Sequence, residues 1–273
     1  MKKKISIENE IKIIDLYVYE NKSTCYISKL FNTNTNLIRN LLIRNDIKLR
    51  KNSENSKKYK VNEDYFNDIN TNEKAYFIGL LFADGNIAKK TLHTSISLKE
   101  DDAYILDYFL KKIYENRELE YIPKKTKLFN DSIVESLPQK KLSIQNKKIG
   151  NDLLKIGLIP NKTHILKFPI INKIFYPSFI LGYFDGDGCI YKSKSVKNNF
   201  LINFAGCEGF LIEVQNILIN ELGLNKTKLQ KHKNIFYLRY SGKNNIKKIF
   251  SYMYNNDNIC LKRKKDVFEQ ILN

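Results

Sequence analysis

Residues 77–85 read Phe-Ile-Gly-Leu-Leu-Phe-Ala-Asp-Gly, and residues 180–188 read Ile-Leu-Gly-Tyr-Phe-Asp-Gly-Asp-Gly. Aligned, Gly79 falls on Gly182, Ala83 on Gly186, Asp84 on Asp187 and Gly85 on Gly188, each pair 103 residues apart. The chain therefore contains an internal repeat, and a repeat constrains architecture more than any single motif. Each copy is an apolar run closed by an acid and a glycine, and a glycine there suits the left-handed residue that ends many helices. Small residues stand four apart in each copy, Gly79 with Ala83 and Gly182 with Gly186, so they share one helix face. Faces reduced to glycine and alanine let two backbones approach closely. Packed through those faces, the helices would deliver Asp84 and Asp187 side by side, at the unfavourable end of the macrodipole and next to a like charge. A cation is expected there.

A lone Asp-Gly after an apolar run is ordinarily a turn, but two copies with matched glycines are not accounted for in that way. An EF-hand reading of Asp185 and Asp187 fails, because Cys189 stands where a third oxygen ligand is needed and no glutamate closes the loop. At these residues the chain resembles the LAGLIDADG homing endonucleases, enzymes of intron homing and other mobile genetic elements, in the form that carries both motifs on one chain. The resemblance covers about residues 66–273. It implies an α+β fold of two pseudo-symmetric halves whose motif helices form the interface between them. It further implies a DNA-cleaving hydrolase in which Asp84 and Asp187 are metal ligands and catalytic residues. The first copy departs from the motif at Phe82, where the second copy keeps the earlier aspartate as Asp185; that position is not the metal-binding one.

The 273 residues include 47 Lys plus Arg against 29 Asp plus Glu, a formal charge of +18 that favours a polyanionic partner. Abundant Lys, Asn and Ile also point to an AT-rich genome, which raises lysine content without a functional cause. Cys25, Cys189, Cys207 and Cys260 are scattered, and His93, His164 and His232 are isolated, so neither a disulfide framework nor a structural zinc site is expected. No apolar run reaches the length of a membrane span and no signal peptide is legible, so an intracellular protein without a membrane partner is expected.

Residues 7–20 show helical spacing through Ile7, Ile11, Ile14 and Val18, with Ile13, Leu16 and Tyr17 widening the stripe. Ser23 or Thr24 can cap a second short helix, and Thr35 to Arg44 reads as a third with Ile38, Leu41 and Leu42 inward. This order within residues 1–50 resembles a helix-turn-helix module that would present Asn34, Thr35, Asn36, Arg39 and Asn40 to DNA. Residues 51–65 read as a basic linker.

Two halves follow, 66–168 and 169–273, each predicted as helix, two strands, helix, two strands, helix. From Leu92 the chain alternates, with Leu92, Thr94, Ile96 and Leu98 on one face and His93, Ser95, Ser97 and Lys99 on the other. In the second half Lys192, Lys194, Asn203, Tyr237, Arg239 and Ser241 are the corresponding candidate DNA contacts. Lys124, Lys125 and Lys127 form a basic segment, and Lys262 to Lys265 a cationic run expected to meet phosphates or water. Hard oxygen ligands without His/Cys clusters favour Mg2+. The resemblance places a catalytic lysine at the end of the last strand of each half; by matching context these are Lys147 and Lys243. The leading expectation is a magnesium-dependent, site-specific double-strand DNA endonuclease, acting as a monomer. Its ends resemble those of a free-standing or intron-encoded enzyme more than an intein. The alternative is an intron maturase that binds intron RNA, or a DNA-binding transcriptional regulator on the same fold.

Overall fold

The computed structural model describes residues 6–50, 59–129, 132–192, 200–255 and 259–272. The chain divides into two compact units, residues 1–60 and 61–273.

Among its described residues the first unit holds three helices: α1 (Ile7–Val18), α2 (Thr24–Leu30) and α3 (Thr35–Arg44). Each begins at a side-chain cap, where Ser6, Ser23 and Asn34 accept from the backbone N–H groups of Asn9, Tyr26 and Leu37. Their core is Ile13, Leu16, Tyr17, Ile27, Ile38, Leu41 and Leu42. The stripe expected to face inward on α1 is reversed in part: Ile7 and Ile11 are 80% and 57% exposed, and Ile13, Leu16 and Tyr17 do the packing. Apolar residues wrap most of α1, so periodicity alone could not choose the face. Arg50 closes the unit by stacking on the Tyr17 ring and donating to the carbonyls of Tyr17 and Lys22.

The second unit is built around α4 (Asn72–Asp84) and α7 (Tyr176–Asp187), the two motif helices. Thr71 caps α4 and Pro177 lies in the first turn of α7, where its missing N–H costs nothing. Both helices are buried on nearly every side, as befits a pair at the centre of a domain. They meet through the small-residue faces. A Cβ built on Gly79 would stand 2.0 Å from the Phe179 carbonyl oxygen, and one on Gly182 would stand 1.9 Å from that of Tyr76. The glycines that end the helices act differently from the expectation. Gly85 and Gly188 have φ of −73° and −102°, outside the left-handed region. They are required because a Cβ would strike the preceding turn, 2.5 Å from the Leu81 carbonyl oxygen in one case and 2.1 Å from the Phe184 ring in the other.

Each motif helix feeds an antiparallel sheet. After α4 come β1 (Asn86–Ile87), β2 (Thr94–Lys99), α5 (Tyr104–Ile113), β3 (Glu120–Ile122), β4 (Lys125–Phe129), β5 (Ser132–Ser136), β6 (Gln139–Ile144) and α6 (Lys147–Ile156). After α7 come β7 (Gly188–Lys192), β8 (Phe200–Gly206), α8 (Glu208–Leu222), β9 (Gln230–His232), β10 (Ile235–Ser241), α9 (Lys243–Met253) and α10 (Lys262–Leu272). The sheet orders β1-β2-β6-β3 and β7-β8-β10-β9 are the same, so the two halves share the expected α-β-β-α-β-β-α plan. One face of each sheet is buried, through Thr94, Ile96 and Leu98 on β2 and Ile202 and Phe204 on β8.

Three departures from the sequence reading have simple causes. The basic segment at 124–127 joins a separate two-stranded ribbon, β4 with β5, found between β3 and β6 in the first half. Of the expected linker, residues 51–58 lie outside the described residues, and residues 61–65 belong to the second unit: Val61 bridges to Tyr114, and Tyr65 is buried beside Phe66, which stacks on Phe77. The cationic run at 262–265 is the first turn of α10, with Lys264 buried and Arg263 paired with Asp102 at 3.0 Å.

Candidate functional site

The close packing of α4 on α7 brings the two motif aspartates to one place. A Cβ on Gly186 would lie 3.0 Å from Asp84 Oδ2, so the first aspartate rests against the second helix just before Asp187. Burial raises the Asp84 carboxyl above its ordinary range despite the positive charges of Lys162, Lys264 and Arg263. Burial, and then repulsion from Asp84, pushes Asp187 up to about 6, again against Lys162 and Lys264. Asp84 keeps one side open to solvent and Asp187 is half-buried, so an ion could reach both. Two crowded carboxylates at the carbonyl ends of two helices thus hold charge reluctantly, which is the condition a multivalent cation relieves. Among the described residues no cluster of three or more His, Cys, Asp or Glu surrounds them. The oxygen-only, two-carboxylate donor set fits a hard divalent ion that keeps several waters or takes phosphate oxygens as further ligands.

The cations beside this pair are not the lysines nominated from sequence. Lys147 and Lys243 are exposed and open α6 and α9. The lysines whose charge falls on the aspartates are Lys162 and Lys264. Lys162 Nζ donates to the Ala83 carbonyl at 2.6 Å, and burial holds its pKa below the ordinary lysine value although Asp187 and Asp84 favour its charge. Lys264 is buried and pushed down to about 8 by that burial, with Asp185 opposing. A sequence signal for both existed: Lys162 follows Asp84 by 78 residues and Lys264 follows Asp187 by 77, so to within one residue they obey the repeat that the motifs define. A cavity of about 250 Å³ opens beside Lys162 and Asp187, walled by Tyr183, Leu166, Ala205 and Cys207.

Asp185, the acid with no counterpart in the first copy, has a structural task. Its Oδ2 accepts from the Tyr76 hydroxyl and from the Leu261 N–H, both at 2.7 Å, tying α7 to α4 and to the start of α10. Complete burial pushes its carboxyl up to about 6. Phe82, at the matching position, meets Phe179 edge-on at 5.3 Å instead.

On the sheets, Ser95 and Ser97 are half-buried and Lys99 exposed on the face opposite the core, with Ser97 paired to Lys141 across β6. His93 lies in the turn before β2, and burial lowers its pKa. In the second half Cys189, Asn203 and Arg239 run across β7, β8 and β10 in register, and Tyr237 and Ser241 follow on the same face as Arg239. Asn203 Oδ1 and Arg239 Nε are buried without a hydrogen-bond partner among the described residues, so this row retains unused polar capacity. Lys192 is exposed; Lys194 lies outside the described residues. In the first unit Asn36, Arg39 and Asn40 are exposed on α3, whereas Asn34 caps that helix and the Thr35 hydroxyl meets that of Ser28 at 3.2 Å.

Residues 175–254 match a family model described as a LAGLIDADG-like domain, a stretch that takes in α7 through α9. No curated protein matches the chain. Among solved structures, the homing endonuclease I-WcaI bound to its DNA recognition sequence superposes with a TM-score of 0.52 at 15% identity, covering 82% of this chain and 96% of that one. The I-LtrWI LAGLIDADG homing endonuclease bound to target DNA gives 0.47 at 14%, covering 77% and 90%. The N-terminal LAGLIDADG domain of DUF199/WhiA gives 0.44 at 11%, covering 77% and 93%. At such identities the likeness to I-WcaI shows a shared fold.

Proposed function

We propose that this chain is a magnesium-dependent, site-specific double-strand DNA endonuclease of the homing type, acting as a monomer with both motifs on one chain. The observation that carries the reading is the convergence of Asp84 and Asp187 at the ends of two helices held together by glycine, with a lysine at nearly the same offset in each half. The fold shared with a DNA-bound homing endonuclease supports it.

In this reading Asp84 and Asp187 are the protein's ligands to the divalent ion, which when bound supplies phosphate charge neutralisation and an acidified water. Hydrolysis joins a water oxygen to phosphorus, breaks one phosphorus–oxygen ester bond and passes a proton to the departing oxygen. The chain's own residues set the stage for that exchange. The α4–α7 interface fixes the spacing of the two carboxylates. Lys162 holds positive charge at the cavity mouth, where a phosphate oxygen gains charge. Ser95, Ser97 and Lys99, with Asn203, Tyr237, Arg239 and Ser241, present donors and acceptors of the type that reads base edges or phosphates. The first unit serves as a helix-turn-helix module in which Asn36, Arg39 and Asn40 add contacts to the same DNA.

The test is a cleavage selection on a randomised plasmid library with magnesium or with chelator, using wild type beside Asp84→Asn and Asp187→Asn. Recovery of one cut sequence that needs magnesium and both aspartates is expected, with DNA binding retained in the variants. Full cleavage by either variant would refute the site assignment. Tight binding to one DNA or intron RNA with no cutting by wild type would favour the regulator or maturase reading.

A further inference from the structure

Lys162 and Lys264 occupy matching places in the repeat, yet their ammonium groups are committed very differently. An ammonium carries three N–H donors. All three of Lys264 are engaged, to the carbonyl oxygens of Phe184 at 2.6 Å, Asp185 at 2.7 Å and Gly188 at 2.6 Å. These carbonyls belong to the last turn of α7 and the first residue of β7, so the buried side chain acts as an internal cap on the second motif helix. The Phe184 ring, 4.9 Å from Nζ, closes one side of it. Lys162 makes one hydrogen bond among the described residues, to the Ala83 carbonyl, and faces the cavity that Asp187 also lines.

We propose that the two lysines have parted in role: Lys264 is a positioning residue that closes the end of α7 and so fixes Asp187, while Lys162 alone keeps donors for a phosphate oxygen. The consequence for DNA rests on the endonuclease reading. The two strands of a duplex relate to the two halves by the same approximate two-fold as the repeat, so one scissile phosphate meets an ammonium with free donors and the other does not. The strands are then cut at unequal rates, and nicked duplex accumulates before the double-strand break.

Two measurements on the full chain separate this inference from the reading beneath it. The first is acetylation by an N-hydroxysuccinimide ester, without DNA or metal, followed by peptide mass spectrometry. Lys264 should react at least about tenfold more slowly than Lys162, because its amine is released only when the turn opens. Equal rates would overturn the division of donors, whatever the protein cuts. The second uses a duplex carrying the selected site, labelled on either strand. One donor at a developing charge is worth about 10²–10³ in rate, so wild type should cut one strand at least about tenfold faster. Lys162→Met should bring that strand down to the slower one and Lys162→Arg should recover part of the difference, while Lys264→Met should slow both strands with affinity for uncut duplex unchanged. Equal strand rates in wild type, or a Lys162→Met effect equal on both strands, would overturn it. The expected labelling with no cleavage of any DNA would support the capping role of Lys264 and remove the endonuclease reading.

Discussion

Replacing Asp187 by Asn should stabilise the metal-free protein near neutral pH while abolishing cleavage. The carboxyl rises from its ordinary 3.8 to about 6, first through burial and then through Asp84. A shift of about two units at ~1.4 kcal/mol each is worth about 3 kcal/mol. The sign follows from the direction of the shift. Below pH 3.8 both folded and unfolded chains hold this carboxyl neutral and it costs nothing. As pH rises through about 6 the unfolded chain has released its proton freely and the folded chain only reluctantly, so stability is lost across that window. The amide cannot ionise, so the variant escapes the loss. Thermal melts in chelator at pH 4 and pH 7.5 are the assay. For a unit of this size about 3 kcal/mol corresponds to roughly 6–12 °C, so the variant should melt higher than wild type by that order at pH 7.5 and by little at pH 4. A variant that melts no higher than wild type at pH 7.5 would show that the carboxylate is not held at electrostatic cost.

The remaining predictions concern the scaffold. Gly79→Ala puts a methyl group where the Phe179 carbonyl oxygen would be 2.0 Å away; overpacking of about 1–3 kcal/mol or more is expected, read as a lowered denaturation midpoint in urea, and an unchanged midpoint would mean that α4 and α7 do not touch there. Tyr76→Phe removes one of the two hydrogen bonds to Asp185 Oδ2; loss of a bond to a charged acceptor costs about 1.5–3 kcal/mol, and because the carboxyl titrates near 6 the loss should be larger at pH 8 than at pH 5. Removal of residues 1–50 should weaken DNA affinity and make it less steeply salt-dependent, in proportion to the number of phosphates the first unit neutralises, with magnesium-dependent cutting intact at high protein concentration. Equal cutting by the truncated chain at low concentration would show that the first unit is no DNA clamp.

The parts of the fold legible in the sequence were those with a strong period or a repeat. The matched glycines announced the α4–α7 contact because backbone approach at that distance excludes every other side chain. The alternation of Thr94, Ile96 and Leu98 announced β2 because one sheet face is buried. Ser23, expected with Thr24 as a candidate cap, does begin the second helix, whereas Asn34, expected to face DNA, caps the third. What escaped had no hydrophobic period, and its one signal was an offset from the motifs that differs by one residue between the halves. Lys264 sits in a run of four cations expected to meet phosphates or water, and only the folded chain reveals three carbonyls converging on its amine. Lys162 lies in a turn between the halves, where hydrophobic pattern carries no information. Gly85 and Gly188 were correctly singled out for an incorrect reason, since sequence cannot distinguish a glycine needed for positive φ from one needed for space.

One physical chain links these features. Bringing α4 and α7 within backbone contact requires glycine at 79 and 182, and the helical repeat then carries Asp84 and Asp187 to the same edge of the interface. Neighbouring lysines temper the repulsion without removing it, because both carboxyls stay raised with Lys162 and Lys264 already beside them. A chain selected for stability alone would place neutral side chains at 84 and 187 and remove a burden of about 3 kcal/mol at the second position. Two carboxylates placed against burial, helix dipoles and each other are what the proposed divalent-ion site calls for, since such an ion brings more positive charge than a lysine can offer.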